Sequence, residues 1–227
     1  FFLTKFFQTF GGHIVSFAAL AVIIITIISV PFATVLLKLG KEEADTMSYF
    51  ILSETLMLAG VFLSAWIVWH LRGFSLEGLG RSLTMRWKDW LSGILLATVL
   101  YAVGFGISLW AGAVEIAGVA FNPSSLLISL VFFLLVAVTE ELALRGFVLE
   151  RLLQSGVNKF CALFLSAALF SLIHIGNPNF DFLSFINILL AGILLGSSYI
   201  YTRNLCFPIA LHWFRNRKDL YCRRTCP

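Results

Sequence analysis

The sequence predicts an all-α, multi-pass transmembrane helical bundle with six full spans and a short seventh helix. Hydrophobic residues make up 59% of the 227-residue chain and charged residues only 12%. A soluble domain carries about 25% charged and about 45–50% apolar residues. The apolar excess therefore has to face lipid. Mean hydropathy is +0.94, and the apolar residues fall in blocks near the ~20-residue length that a bilayer core demands. This excludes a soluble enzyme and a disordered chain. It also excludes a secreted disulfide scaffold, because Cys161, Cys206, Cys222 and Cys226 are too few and too scattered.

The first block, residues 12–37, is too long for a signal-peptide core and lacks a convincing cleavage site. It reads as a retained helix, kinked or ended near Pro31. Because the chain opens on Phe1, its natural start is expected upstream. A charged link at 38–46 leads to a second span, 47–71. Residues 72–89 hold Arg72, Arg81, Arg86 and Lys88 among several glycines, a membrane-flanking loop. The third span covers 90–113. Asn122-Pro123-Ser124-Ser125 marks the start of the fourth helix, where serine or asparagine caps free N–H groups. That helix is apolar over 126–138 and turns ionic at Glu140. Spans at 160–175 and 182–201 follow, then an apolar piece at 205–214. At about 15 Å, this last piece cannot cross a ~30 Å core unaided. The chain thus divides into N-terminal helices (1–123), a helical core carrying the motifs (124–216) and an atypical basic tail (217–227).

The formal charge is only +4, and the 16 basic residues gather at segment ends. That pattern suits membrane orientation and not nucleic-acid binding. Placing loops 72–88 and 151–159 in the cytoplasm leaves 113–124 and 176–181, which lack lysine and arginine, outside. Only Lys38 and Lys41 oppose this arrangement.

Ionisable groups within a membrane helix are costly and functional by default. The clearest case is Thr139-Glu140-Glu141-Leu142-Ala143-Leu144-Arg145. Glu141 and Arg145 are four apart with the acid N-terminal, the favoured order for a helical ion pair. Glu140 is offset by about 100°, which leaves it open for general-base work. The plainer reading is a helix end emerging into water with all its charges solvated. His174 closes the run Phe170-Ser171-Leu172-Ile173-His174, where a lone histidine is more often structural. His212 and Asn216 are four apart and share a helical face. Two histidines, a free carboxylate and an amide can activate water and stabilise an oxyanion. Alternatively Glu140, His174 and His212 form a two-histidine, one-carboxylate set for a divalent metal such as zinc. The His-Glu-x-x-His signature is absent, so the sequence leaves the cofactor open. Gly192 and Gly196 make a small-xxx-small pattern that reads as helix packing, and Glu54 reads as a polar packing residue near the interface.

Glu-Glu-x-x-x-Arg at 140–145, Phe-x-x-x-His at 170–174 and His-x-x-x-Asn at 212–216 together resemble the three motifs of the CPBP intramembrane proteases. These are the type II CAAX prenyl endopeptidases and bacterial relatives linked to bacteriocin processing or self-immunity. The resemblance covers residues 124–216 and implies Glu140 as general base, supported by Glu141 and Arg145. It implies that His174 helps hold the water, and that His212 with Asn216 stabilises the tetrahedral intermediate. The implied substrate is a membrane-anchored peptide, prenylated or bacteriocin-like, cut within a bacterial plasma membrane. No nucleic-acid partner is expected. Two rivals remain: a non-catalytic immunity or partner-binding protein of the same family, and a proton-coupled transporter, which the absence of visible inverted repeats disfavours. The family's members generally continue beyond the third motif into apolar helix, whereas this chain turns to Arg215, Arg217, Lys218, Arg223 and Arg224. That tail is expected to leave His212 and Asn216 on a shallow, frayed segment.

The charge count generates a first test. Single cysteines introduced in loops 72–88 and 151–159 should react with impermeant reagents only from the cytoplasmic face. Labelling of either loop solely from the opposite face would overturn the orientation.

Overall fold

The apolar blocks form helices that are hydrophobic nearly all round, as helices bounded by lipid or by other helices are. A computed structural model describes residues 47–71, 84–118, 123–215 and 221–224, with Gly12, Val15, Phe17, Ala19 and Ile23. In chain order these form α1 (Met47–Leu71), α2 (Trp87–Trp110), β1 (Val114–Gly118) and α3 (Pro123–Glu141). A π-helical segment (Leu142–Leu149) and α4 (Glu150–Gln154) continue α3, and α5 (Lys159–Leu172), α6 (Phe182–Thr202), α7 (Cys206–Arg215) and β2 (Tyr221–Arg224) follow.

Among the described residues, four helical stretches are long and apolar enough to cross a membrane: Phe50–Leu71, Trp87–Trp110, Leu126–Gln154 and Phe182–Thr202. The expected block at 12–37 lies, but for five residues, outside the described part. The block at 160–175 is the 14-residue α5, about 21 Å long and short of a full bilayer core.

Local chemistry sets the helix ends. Pro123 opens α3, where a missing N–H costs nothing; the proposed cap at Asn122 lies outside the described residues. Asn158 caps α5 by accepting from the Phe160 N–H at 2.9 Å. Asp181 caps α6 by accepting from the Ser184 N–H at 2.7 Å. Hydrogen bonds from Ser184, side chain and backbone, hold the Asp181 carboxyl below its ordinary range. Gly156, at φ +80, supplies the left-handed turn that stops α4.

The acidic pair was expected at a helix end. Instead the helix runs on through it, because Leu142–Leu149 is apolar apart from Arg145 and keeps its ionic groups paired internally. Glu140 and Glu141 therefore sit inside the continuous stretch Leu126–Gln154.

α1 lies along α3, α5 along α6, and α7 between α2 and α3. The main core gathers Trp69, Phe147, Leu149, Leu152, Tyr199 and Leu205, each 1% exposed or less. The many exposed large apolar residues of α2, Leu95, Val103 and Ile107 among them, fit a lipid boundary. A short antiparallel pair joins β1 to β2, with Glu115 opposite Arg223 and an irregularity between Ile116 and Gly118. No strand signal was read in either segment.

The small-xxx-small pattern does pack helices: a Cβ on Gly192 would lie 3.0 Å from both Cα and Cβ of Ala167 on α5. Gly93 on α2 is tighter still, since a Cβ there would meet the Phe207 carbonyl oxygen at 2.6 Å and the Ala210 Cβ at 2.9 Å. This close approach seats α7, ten residues long, deep in the bundle. Leu205, Ala210, Leu211 and His212 are all buried, so the described part of that helix is not the frayed segment expected. Gly93→Val should displace α7 and cost about 1–3 kcal/mol by overpacking, read as a lower Tm in detergent. Gly104→Ala, where nothing lies within 4 Å, should leave Tm unchanged or slightly raised; equal melting of the two variants would refute this seating of α7.

Candidate active site

The site grows from one buried ion pair. The Arg145 guanidinium donates from Nη1 to Glu141 Oε1 at 2.9 Å, and both side chains have no exposure. Its Nη2 donates to the Gly192 carbonyl of α6 at 3.1 Å, and the Phe170 ring lies 4.5 Å from Arg145 Cζ. Glycine at 192 lets α6 come close enough for its carbonyl to be reached. The expected four-residue spacing of acid and base is present, although Arg145 falls in the π-helical segment. Such wide turns recur at functional sites.

Glu141 Oε1 accepts a second hydrogen bond from His212 Nδ1 at 2.9 Å. That oxygen already accepts from Arg145 and accepts again here, so Nδ1–H is the donor. Nε2 of His212 then faces Glu140 Oε2 at 3.6 Å. His174 is oriented in the same way by a different group. Its Nδ1 lies 2.6 Å from the Phe170 carbonyl oxygen, which can only accept, so Nδ1–H donates. Nε2 of His174 is left facing Glu140 Oε1 at 3.9 Å. Two imidazoles from α7 and the end of α5 thus present Nε2 to the two oxygens of one carboxylate. Separations of 3.6 and 3.9 Å exceed a direct hydrogen bond and suit a bridging water.

Glu140, Glu141, Arg145, His174 and His212 therefore converge. Asn216 lies outside the described residues. The donor types suit a divalent metal. Among the described residues, no three His, Cys, Asp or Glu side chains are placed to hold a metal ion.

Glu54 does pack inside the bundle: it is 6% exposed, beside Thr139 and within electrostatic reach of Glu140. Beside the cluster a cavity of about 810 Å³ opens between α2 and α6, with His212 in its wall. Asn187 also lines it and was missed from the sequence; a lone amide inside an apolar span was the available signal.

The carboxylate–histidine cluster thus lies among helices long and apolar enough to cross a membrane. Residues 122–217 match the family described as Rce1-like, Type II CAAX prenyl endopeptidase Rce1-like. The match encloses all three motifs, bears out the resemblance drawn from them, and supports a protease at the level of the family. No curated protein and no solved structure matches the chain.

Removing one partner of a buried ion pair costs about 3–5 kcal/mol, because the other charge is left uncompensated. Arg145→Met should therefore melt far below the parent, whereas the double variant Glu141→Gln/Arg145→Met should recover part of the loss. Equal melting of single and double variants would show that the two groups are not coupled.

Proposed function

We propose that this chain is an intramembrane endopeptidase that hydrolyses a peptide bond of a membrane-anchored substrate, prenylated or bacteriocin-like. The observation that carries the reading is the pair of oriented imidazoles facing the two oxygens of Glu140. In the proposed reaction Glu140 takes a proton from a water held with the help of His174 Nε2. The hydroxide oxygen bonds to the scissile carbonyl carbon, and the carbonyl oxygen becomes an oxyanion. His212, protonated and held through Nδ1 by Glu141, donates from Nε2 to that oxyanion together with Asn216. The C–N bond then breaks, and the proton on Glu140 passes to the leaving amine.

Oriented donors of this type contribute about 2.7–4 kcal/mol of transition-state stabilisation each. Glu141 and Arg145 are positioning residues, since both face inward and are fully buried. The apolar cavity beside His212 gives a lipid-soluble substrate a place next to the carboxylate. We further propose that residues 12–37 and α5 complete six membrane-inserted segments in a cell membrane, with loops 72–88 and 151–159 cytoplasmic.

Glu140→Gln keeps the shape but cannot accept water's proton. Single-turnover cleavage by the purified variant should fall by at least about 100-fold, the lower range for general-base loss, with membrane insertion intact. Near-parent rates would transfer the base role elsewhere, and a parent chain without cleavage would favour a partner-binding role.

A further inference from the structure

The cavity lies between matching faces of two helices. Tyr101, Gly104 and Ser108 line it from α2, and Asn187, Ala191 and Leu195 line it from α6. Its α2 wall, from Ala97 to Ser108, is about 16 Å long at 1.5 Å per residue, enough for about five residues of extended peptide. Ser108 has only one hydroxyl proton, and it is used within α2, on the Gly104 carbonyl at 2.9 Å. Asn187 differs. Its amide offers one acceptor and two donors, it is exposed to the cavity, and it makes no side-chain hydrogen bond among the described residues.

Its depth is fixed by a neighbour. Ser171 Oγ donates to the Phe185 carbonyl at 2.8 Å, which ties the start of α6 to the end of α5. Further along, Gly192 of α6 meets Ala167 of α5, so the two helices run antiparallel and Asn187 falls opposite about Phe170, whose carbonyl orients the His174 ring. An apolar chain in this cavity would leave the amide unsatisfied, a loss of about 1–3 kcal/mol for a buried polar group. A peptide group supplies both an N–H and a C=O, the complement of a carboxamide.

We infer that Asn187 is a substrate-positioning residue: its amide pairs with one backbone peptide group of an extended segment in the cavity, delivering a neighbouring carbonyl to Glu140 and His212. The inference rests on the endopeptidase reading of that same site and adds how the substrate backbone is held.

The full-length Glu140→Gln chain, purified in detergent, is titrated with a fluorescein-labelled apolar nonapeptide. A parallel series replaces one amide at a time by an ester. One ester position should weaken binding by roughly 3- to 10-fold, the value of a single net hydrogen bond. Asn187→Leu should weaken the all-amide peptide by the same factor and flatten the ester series, and Asn187→Gln should restore part of the loss. In the chain with Glu140 intact, Asn187→Leu should raise KM with little change in kcat, the signature of lost uniform binding. Leucine suits a lipid-bounded helix, so Tm should hold. Parent affinity in Asn187→Leu, or an ester series that keeps its dependence on position, overturns the inference. So does an altered oligomeric state with unchanged peptide affinity, which would assign the amide to a neighbouring helix. Peptide binding without cleavage by the parent chain removes the endopeptidase reading yet leaves the Asn187 contact standing. Failure to bind any peptide overturns both.

Discussion

The Glu141–Arg145 pair is the constraint on which the rest of the site depends. A buried ion pair in an apolar interior does not reward folding by itself, since desolvation offsets most of the attraction. What it does is restrict geometry. Arg145 has to find acceptors, and it finds Glu141 on its own helix and the Gly192 carbonyl on α6. Glu141, with one oxygen shared between Arg145 and His212, draws α7 to the same point. Three helices are thereby tied to one charged centre, and any sliding of α6 or α7 would strand a charge in low dielectric. The pair specifies an arrangement more than it adds stability.

A ten-residue helix can occupy such a bundle without crossing it. α7 lacks the length to span, yet Gly93 lets it lie against the α2 backbone, and Trp213 donates from Nε1 to the Leu130 carbonyl of α3 at 2.8 Å. The Trp90 and Trp213 rings lie 5.7 Å apart and add a further contact between α2 and α7. Tertiary contacts replace length as the anchor, and for this reason the basic residues that follow do not pull His212 out to the surface.

Much of this was legible in the sequence. The apolar blocks announce the helices, and 47–71 and 182–201 fall within a residue of α1 and α6. The three motifs name five of the residues that meet, because carboxylate, guanidinium and imidazole have no cheap place in lipid. Other features lie beyond one-dimensional patterning. The π-helical register of 142–149 has no compositional mark, since Leu-Ala-Leu-Arg-Gly reads equally well as α-helix. The strand pair depends on a partner more than a hundred residues away. Glu54 reads as a polar packing residue from its place near the start of its helix, but only the packing of α1 on α3 puts it beside Thr139 and Glu140. Asn187 carried a signal, an amide among apolar residues, but only the cavity gives that signal a direction.

The division of labour between adjacent glutamates follows from the same geometry. Glu141 points into the bundle, where Arg145 and His212 occupy its oxygen and hold it fixed. Glu140 is turned about 100° from it along the same helix, toward the two imidazole Nε2 atoms, and its 22% side-chain exposure contrasts with none for Glu141. One carboxylate is engaged in structure, and the other keeps its lone pairs for the proposed chemistry. A single carboxylate could not do both, because a base clamped by a guanidinium gives up basicity with every hydrogen bond it accepts. Two consecutive acids on a membrane helix, an expensive arrangement in lipid, are therefore what allows a rigid charged anchor and the proposed general base to sit one residue apart.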